Sequence, residues 1–339
     1  MNRNAVLLLG IAIVSGTTSA WSQTSPGPYH LVKTIALPGV QGGFDHFAYD
    51  AALHRLYLAA SDNGTLEVMD LQSGTRLSSV KGFTSPHSVL VRAKADEILV
   101  TDSGKQASAL LQQSTLKKLR NVNLALGANC ILLDHTGNRL FVTAGGDRVS
   151  QPDSTLQIIN PDSGVVLRTV RVPALHLQPM ALDAEHKRLF VNIADQDAIG
   201  VFNSDTLERT GTWPIPKGHK NSPIAFDRES QSLFVIASDP GILMELDAVS
   251  GALRTFVPTP SNPDDLGFDP KSRRLFVPGD GALNVYQIGP ASSLHPIQHL
   301  ETGTEARTGI FLPDINAYAV AVPATAAQPA KVLLFKKEQ

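Results

Sequence analysis

The chain carries a single cysteine, Cys130, in 339 residues. One cysteine excludes an intramolecular disulfide framework, a c-type haem attachment motif and a thiolate metal cluster. Aromatic residues are scarce at 6%, and neither charge sign dominates: 29 Lys+Arg against 31 Asp+Glu leave a formal net charge of −2. Binding to a phosphate backbone needs clustered Lys and Arg, so no nucleic-acid partner is expected. A phosphate-cradling glycine loop with its Lys, a nucleophile elbow and an HExxH pair are all absent. What is plentiful is glycine (26) and proline (22), the residues of turns, in a chain that is 42% hydrophobic. That balance fits neither a disordered chain nor one embedded in a membrane as a whole.

The first twenty residues read as an address. Arg3 is followed by the apolar run AVLLLGIAIV (5–14) and a small polar stretch ending Thr18-Ser19-Ala20. This is the order of a secretory signal peptide, with cleavage expected after Ala20. A membrane anchor needs roughly twenty apolar residues, and no later run reaches that length. A lipoprotein anchor needs a cysteine just after the apolar run. The expected layout is therefore a signal peptide over 1–20, a linker over 21–28 and one domain over 29–339. The mature protein is expected to be periplasmic or secreted, without a membrane anchor.

A motif of the form Arg-Leu-Phe-Val recurs, with its second residue at positions 56, 98, 140, 189, 233, 275 and 318. The spacings are 42, 42, 49, 44, 42 and 43 residues, which marks a repeat architecture. The first unit holds four short strand-like runs, near 47–50, 55–59, 64–71 and 75–80, each bounded by turn residues. Four strands in about forty residues describe one blade of a β-propeller, as in WD40-like repeats. A helical solenoid would need a 3.6-residue apolar period that is not there. The last unit supplies only three strands, near 308–312, 317–322 and 331–335, and the segment 29–37 resembles a fourth. An all-β, seven-bladed propeller of four-stranded blades is thus expected, closed by the N-terminal strand completing the last blade. The long third unit places an insertion at 145–154.

Repeats allow positions to be superposed within one chain. Eleven residues before each anchor lie Asp45, His87, Asn129, Gln178, Ser222, Asp264 and Arg307, all polar. One residue further lie His46, Ser88, Cys130, Pro179, Pro223, Asp265 and Thr308, and the chain then turns apolar. The position sits where the innermost strand enters the wall of the central channel. Solvated channel lining would account for polarity alone. Varied chemistry at equivalent places points instead to an asymmetric ligand site built from Asp45, His46, His87, Asn129, Gln178, Ser222, Asp264, Asp265 and Arg307. Facing a solvated channel, these side chains are expected to contribute little to folding.

Other candidates carry less. No cofactor is expected, although the imidazoles and carboxylates of the ring leave a divalent metal possible; Arg307 would oppose a cation and favour an anionic partner. Cys130 reads as a small buried hydrophobe rather than a nucleophile. His295 and His299 flank Pro296 and read as surface residues. Asn63-Gly64-Thr65 matches a glycosylation acceptor but also a hairpin turn.

The segments Phe44-Asp45-His46, Asn221-Ser222-Pro223, Pro263-Asp264-Asp265 and Ala306-Arg307-Thr308 resemble those of the YVTN-family β-propeller repeat proteins of bacteria. The resemblance covers about 29–335 and departs at Ala128-Asn129-Cys130, where the family often has Asp-Asn. It implies an exported seven-bladed propeller and no single activity. Two functions stay open. One is an exported binding or scaffold protein holding a small molecule or a protein partner at the channel mouth. The other is a propeller enzyme, a metal-dependent lactonase-like hydrolase or a lyase, using the same residues.

Overall fold

The repeated motif becomes the second strand of each blade, because its Leu and Phe point to opposite faces and both faces are covered. Leu140 and Phe141, Leu189 and Phe190, Leu233 and Phe234, and Leu275 and Phe276 are each at most 1% exposed. In the computed structural model, residues 27–104 and 108–338 are described. They form seven antiparallel four-stranded sheets, each in simple meander order except the last. The first blade comprises Phe47–Asp50, Arg55–Ala60, Thr65–Asp70 and Thr75–Lys81. In the last, Thr308–Leu312, Ala317–Val322 and Ala330–Lys337 are joined on the outside by Tyr29–Leu37. That N-terminal strand runs antiparallel to its neighbour from Tyr29 opposite Lys337 to Leu37 opposite Ala330. Residues 1–20, expected as a signal peptide, and most of the linker lie outside the described residues.

The core is a ring of interfaces between blades rather than one central mass. Tyr57, Leu66 and Val68 of the first blade pack on Ile98, Val100 and Leu111 of the second. Ile35 and Leu37 pack with Val332 of the last blade and Leu56 and Leu58 of the first, closing the circle. Among the described residues no helix is long and apolar enough to cross a membrane.

Where the first strand of a blade ends, on the face away from the ring of polar residues, an aspartate caps the turn. Asp134 Oδ1 accepts from the Thr136 and Gly137 amides, both at 3.0 Å. The arginine that opens the next strand then bridges outward. Arg188 holds Asp183 at 2.6 Å and donates to the Ala248 carbonyl of the neighbouring blade, also at 2.6 Å. Burial alone would raise the Asp183 carboxyl, but hydrogen bonds from Arg188 and His186 outweigh it and hold the group below its ordinary value. Arg188→Ala leaves a carboxylate that is 1% exposed without its cation, and is expected to cost about 3 kcal/mol. For a depressed carboxyl the contribution is present above about pH 4 and lost as pH falls through the lowered value. Urea melts at neutral and acid pH should show that difference narrowing.

Candidate functional site at the channel mouth

The seven ring positions enter the channel wall together, as the repeat predicts. The Asp45 amide donates to Ala59 O at 2.9 Å and the Asn129 amide to Thr143 O at 2.8 Å, so both residues lie against the second strand of their own blade. The His46 amide donates to His87 O at 3.2 Å, tying the first blade to the second. The strand Pro86–Arg92 breaks register between Pro86 and Val89, an irregularity that turns His87 toward the first blade.

Three blades then meet in one charge network. His46 Nδ1 lies 2.8 Å from Asp265 Oδ1, and His46 Nε2 lies 3.1 Å from Asp45 Oδ1. The other oxygen of Asp45 accepts from His87 Nδ1, whose Nε2 stands 2.8 Å from Ser103 Oγ. Asp265 Oδ2 takes the Gly309 amide at 2.9 Å. Burial would push the His46 imidazole down, but Asp45 and Asp265 on either side outweigh it and hold the ring protonated well above its ordinary value. Burial likewise opposes the Asp45 charge, and the neighbouring His46, His87 and Arg148 overcome it, keeping that carboxyl far below the usual range. Asp264 goes the other way. Burial pushes it up to about 7, against the pull of Arg307, whose Nε is 2.8 Å from Asp264 Oδ2, and with the push of Asp45.

A cavity of about 360 Å³ opens above this network. Of the residues the sequence singled out, Asp45, His46, His87, Asn129, Gln178, Asp264 and Arg307 line it. Asp265 lies below, against a second cavity of about 220 Å³ that His46 and Asp264 also touch. Ser222 lines neither. It sits buried in the inner strand His219–Asp227 with its carbonyl bonded to Asn192, whereas His87 and Gln178, also inside their inner strands, do line the mouth. The expected solvated ring is also corrected: side chains of Asp45, His46 and His87 are only 16%, 17% and 8% exposed and are spent on one another.

Sequence reasoning missed Asp62, Ser103 and Arg148, which line the same cavity from the turns between the second and third strands of blades one to three. Superposing that turn across the repeats pairs Ser103 with Ser61, which lines the cavity too, and sets Asp62 opposite Gly104. Arg148 comes from the insertion at 145–154, which folds as a short 3₁₀ turn, Gly146–Val149. Gly145 and Gly146 both take positive φ, and a Cβ on Gly146 would stand 1.9 Å from Leu175 O. Glycine is thus required for this loop to lie against the fourth blade and present Arg148.

Two features are unspent. Among the described residues, the Nη groups of Arg307 and the guanidinium of Arg148 have no hydrogen-bond or ion-pair partner. Asn129 is 2% exposed, and both polar atoms of its amide lack a partner. The possible metal site fares differently. The histidine nitrogens are turned on carboxylates and Ser103, and among the described residues no three His, Cys, Asp or Glu are placed to hold a metal ion. Cys130 is 3% exposed, with Sγ 3.8 Å from His46 Nε2.

No protein-family model and no curated protein matches the chain. Among solved structures, one described as the crystal structure of a mitotic checkpoint complex aligns with a TM-score of 0.73 at 13% identity. The alignment covers 97% of this chain and 98% of that one. At that identity the likeness shows the propeller fold, and because 1561 chains match in all, it singles out no activity.

Proposed function

We propose that this protein is an exported propeller of the YVTN-repeat type that binds a small carboxylate-bearing anion at its channel mouth. The carrying observation is that two guanidinium groups with open donors, Arg148 and Arg307, share one cavity in which Asp45 is engaged with two imidazoles, Asp62 accepts from the Gly43 amide and Asp264 meets only Nε of Arg307. Planar forks of this kind pair bidentately with a carboxylate. The orphaned Asn129 amide beneath supplies a donor and an acceptor to a ligand that reaches it. Export rests on the signal-peptide pattern, and N-terminal sequencing of the secreted chain tests cleavage after Ala20.

Succinate serves as the probe for calorimetry on the mature chain. Arg307→Ala and Arg148→Ala are each expected to weaken it by about tenfold or more, the worth of one charge-assisted hydrogen bond. Asp264 sets the pH dependence. A neutral acid beside the anion repels it less than a carboxylate does, so affinity should rise as pH falls through about 7. Unchanged affinity in both arginine variants would sink the reading.

The placement of Asp264, which lines both the mouth and the cavity below it with Arg307 at 2.8 Å, favours a catalytic alternative. A carboxyl held at about 7 exchanges a proton near neutral pH, which suits Asp264 to general acid or base work on a lactone or a related ester. Turnover of a lactone probe that is lost in Asp264→Asn would support the hydrolase or lyase.

A further inference from the structure

Two residues beyond the polar ring the repeats superpose again. Phe47, Val89, Ile131, Met180, Ile224 and Leu266 occupy six of the units, and Gly309 the seventh. All six side chains line the cavity of about 220 Å³ beneath the charge network, forming an apolar collar. The glycine breaks that collar for a steric reason. A Cβ there would stand 2.5 Å from the Tyr318 ring and 2.9 Å from Ala319 O, and a Cβ on neighbouring Gly267 would also stand 2.5 Å from that ring.

At this gap a third cavity, of about 1000 Å³, shares Phe47, Asp265 and Leu266 with the collar. It follows the inner strands of blades six and seven past Phe268, Ile310 and Phe311 toward the face opposite the mouth. Phe268 and Phe311 remain partly exposed although one face of each ring packs on Phe234 or Phe276. At the far rim stand Lys271 and Lys337, neither of which has an ion-pair partner among the described residues. Two carboxylates share that rim and take neutral donors: Asp314 accepts from the Tyr49 hydroxyl at 2.9 Å, and Asp269 from the Lys271 amide at 3.0 Å.

A bore walled by Phe47, Leu266, Phe268, Ile310 and Phe311, closed above by ion pairs and rimmed below by two ammonium groups beside the carboxylates of Asp269 and Asp314, suits a ligand with an apolar tail and an anionic head. We propose that the lower channel is a second binding site, separate from the mouth, for a single-chain alkyl carboxylate held tail inward with its head at Lys271 and Lys337. Burying each methylene removes apolar surface from water, and the lysines supply the charge that keeps the head at the rim.

The test is calorimetry of the mature protein with butyrate, hexanoate, octanoate and decanoate. Affinity is expected to rise about fourfold per added methylene until the chain fills the bore. Lys271→Glu with Lys337→Glu should weaken decanoate by about tenfold or more. Leu266→Trp, which narrows the junction of the two lower cavities, should shift the length optimum to shorter chains, with circular dichroism confirming the fold. Excess succinate should not compete with decanoate, because the mouth and the bore are separate. Affinity independent of chain length, or competition by succinate, would overturn the proposal while leaving the mouth reading standing. So would adsorption of the protein to anionic phospholipid vesicles without binding of monomeric decanoate.

Discussion

Deleting Tyr29–Leu37 is expected to remove cooperative folding of the ring at physiological temperature. The strand contributes Tyr29, Ile35 and Leu37, exposed by 1%, 0% and 0%, to two different blade interfaces. Burying each such side chain is worth about 1.5–3 kcal/mol. The three together approach the about 5–15 kcal/mol that holds a whole native protein. The loss also strips the ladder partners from Ala330–Lys337 and leaves an open edge ready to pair with another chain. Thermal melts should show a midpoint lowered by well over ten degrees or a transition that has lost cooperativity, with light scattering reporting association. The milder Ile35→Ala, which keeps the strand, should cost about 2–5 kcal/mol in the cavity it leaves. A truncated chain that melts like the intact one would rule out closure by the N-terminal strand.

That closure was legible because the repeat counts strands. A last unit with three strands and an unassigned strand-like run at the start leave one arrangement that abolishes the edge, and the run 29–37 is the strand observed. The ring of polar positions was legible for the same reason, since a period superposes equivalent residues. A period does not say which neighbour a side chain meets. The network joins Asp45, His46 and His87 of blades one and two to Asp265 of blade six, which lies 219 residues from its partner His46. Pairing across the channel depends on ring closure and on local register breaks, and neither is written into the repeat. Ser222 shows the converse: it lies inside its inner strand as His87 and Gln178 do, yet it lines neither cavity, so equivalence in sequence did not become equivalence in space. Arg148 sits in the one insertion, where there is no repeat position to compare it with.

The network makes a stability prediction opposite to that for a solvated ring. His46→Ala should leave Asp45 and Asp265, 16% and 18% exposed, without the imidazolium between them. Breaking an enclosed ion pair from one side costs about 3–5 kcal/mol, and the partial exposure places this case near about 3. For a chain of this size that lowers Tm by about 4–5 °C. The pH dependence carries the sign. A histidine whose folded proton affinity is raised contributes fully below its unfolded value of about 6.5, and loses that contribution as pH rises through the raised one. Asp45, depressed in the fold, contributes above about pH 4 and loses that contribution as pH falls toward its lowered value. The difference between parent and variant should therefore be widest between about pH 4 and 6.5 and shrink in alkaline buffer. His295→Ala, on an exposed outer strand, is the control and should melt with the parent throughout. Equal melting of His46→Ala and the parent at about pH 5.5 would show that the charge network holds no ion pair, and with it the reading of Asp264 as an acid raised by burial beside that network would fall.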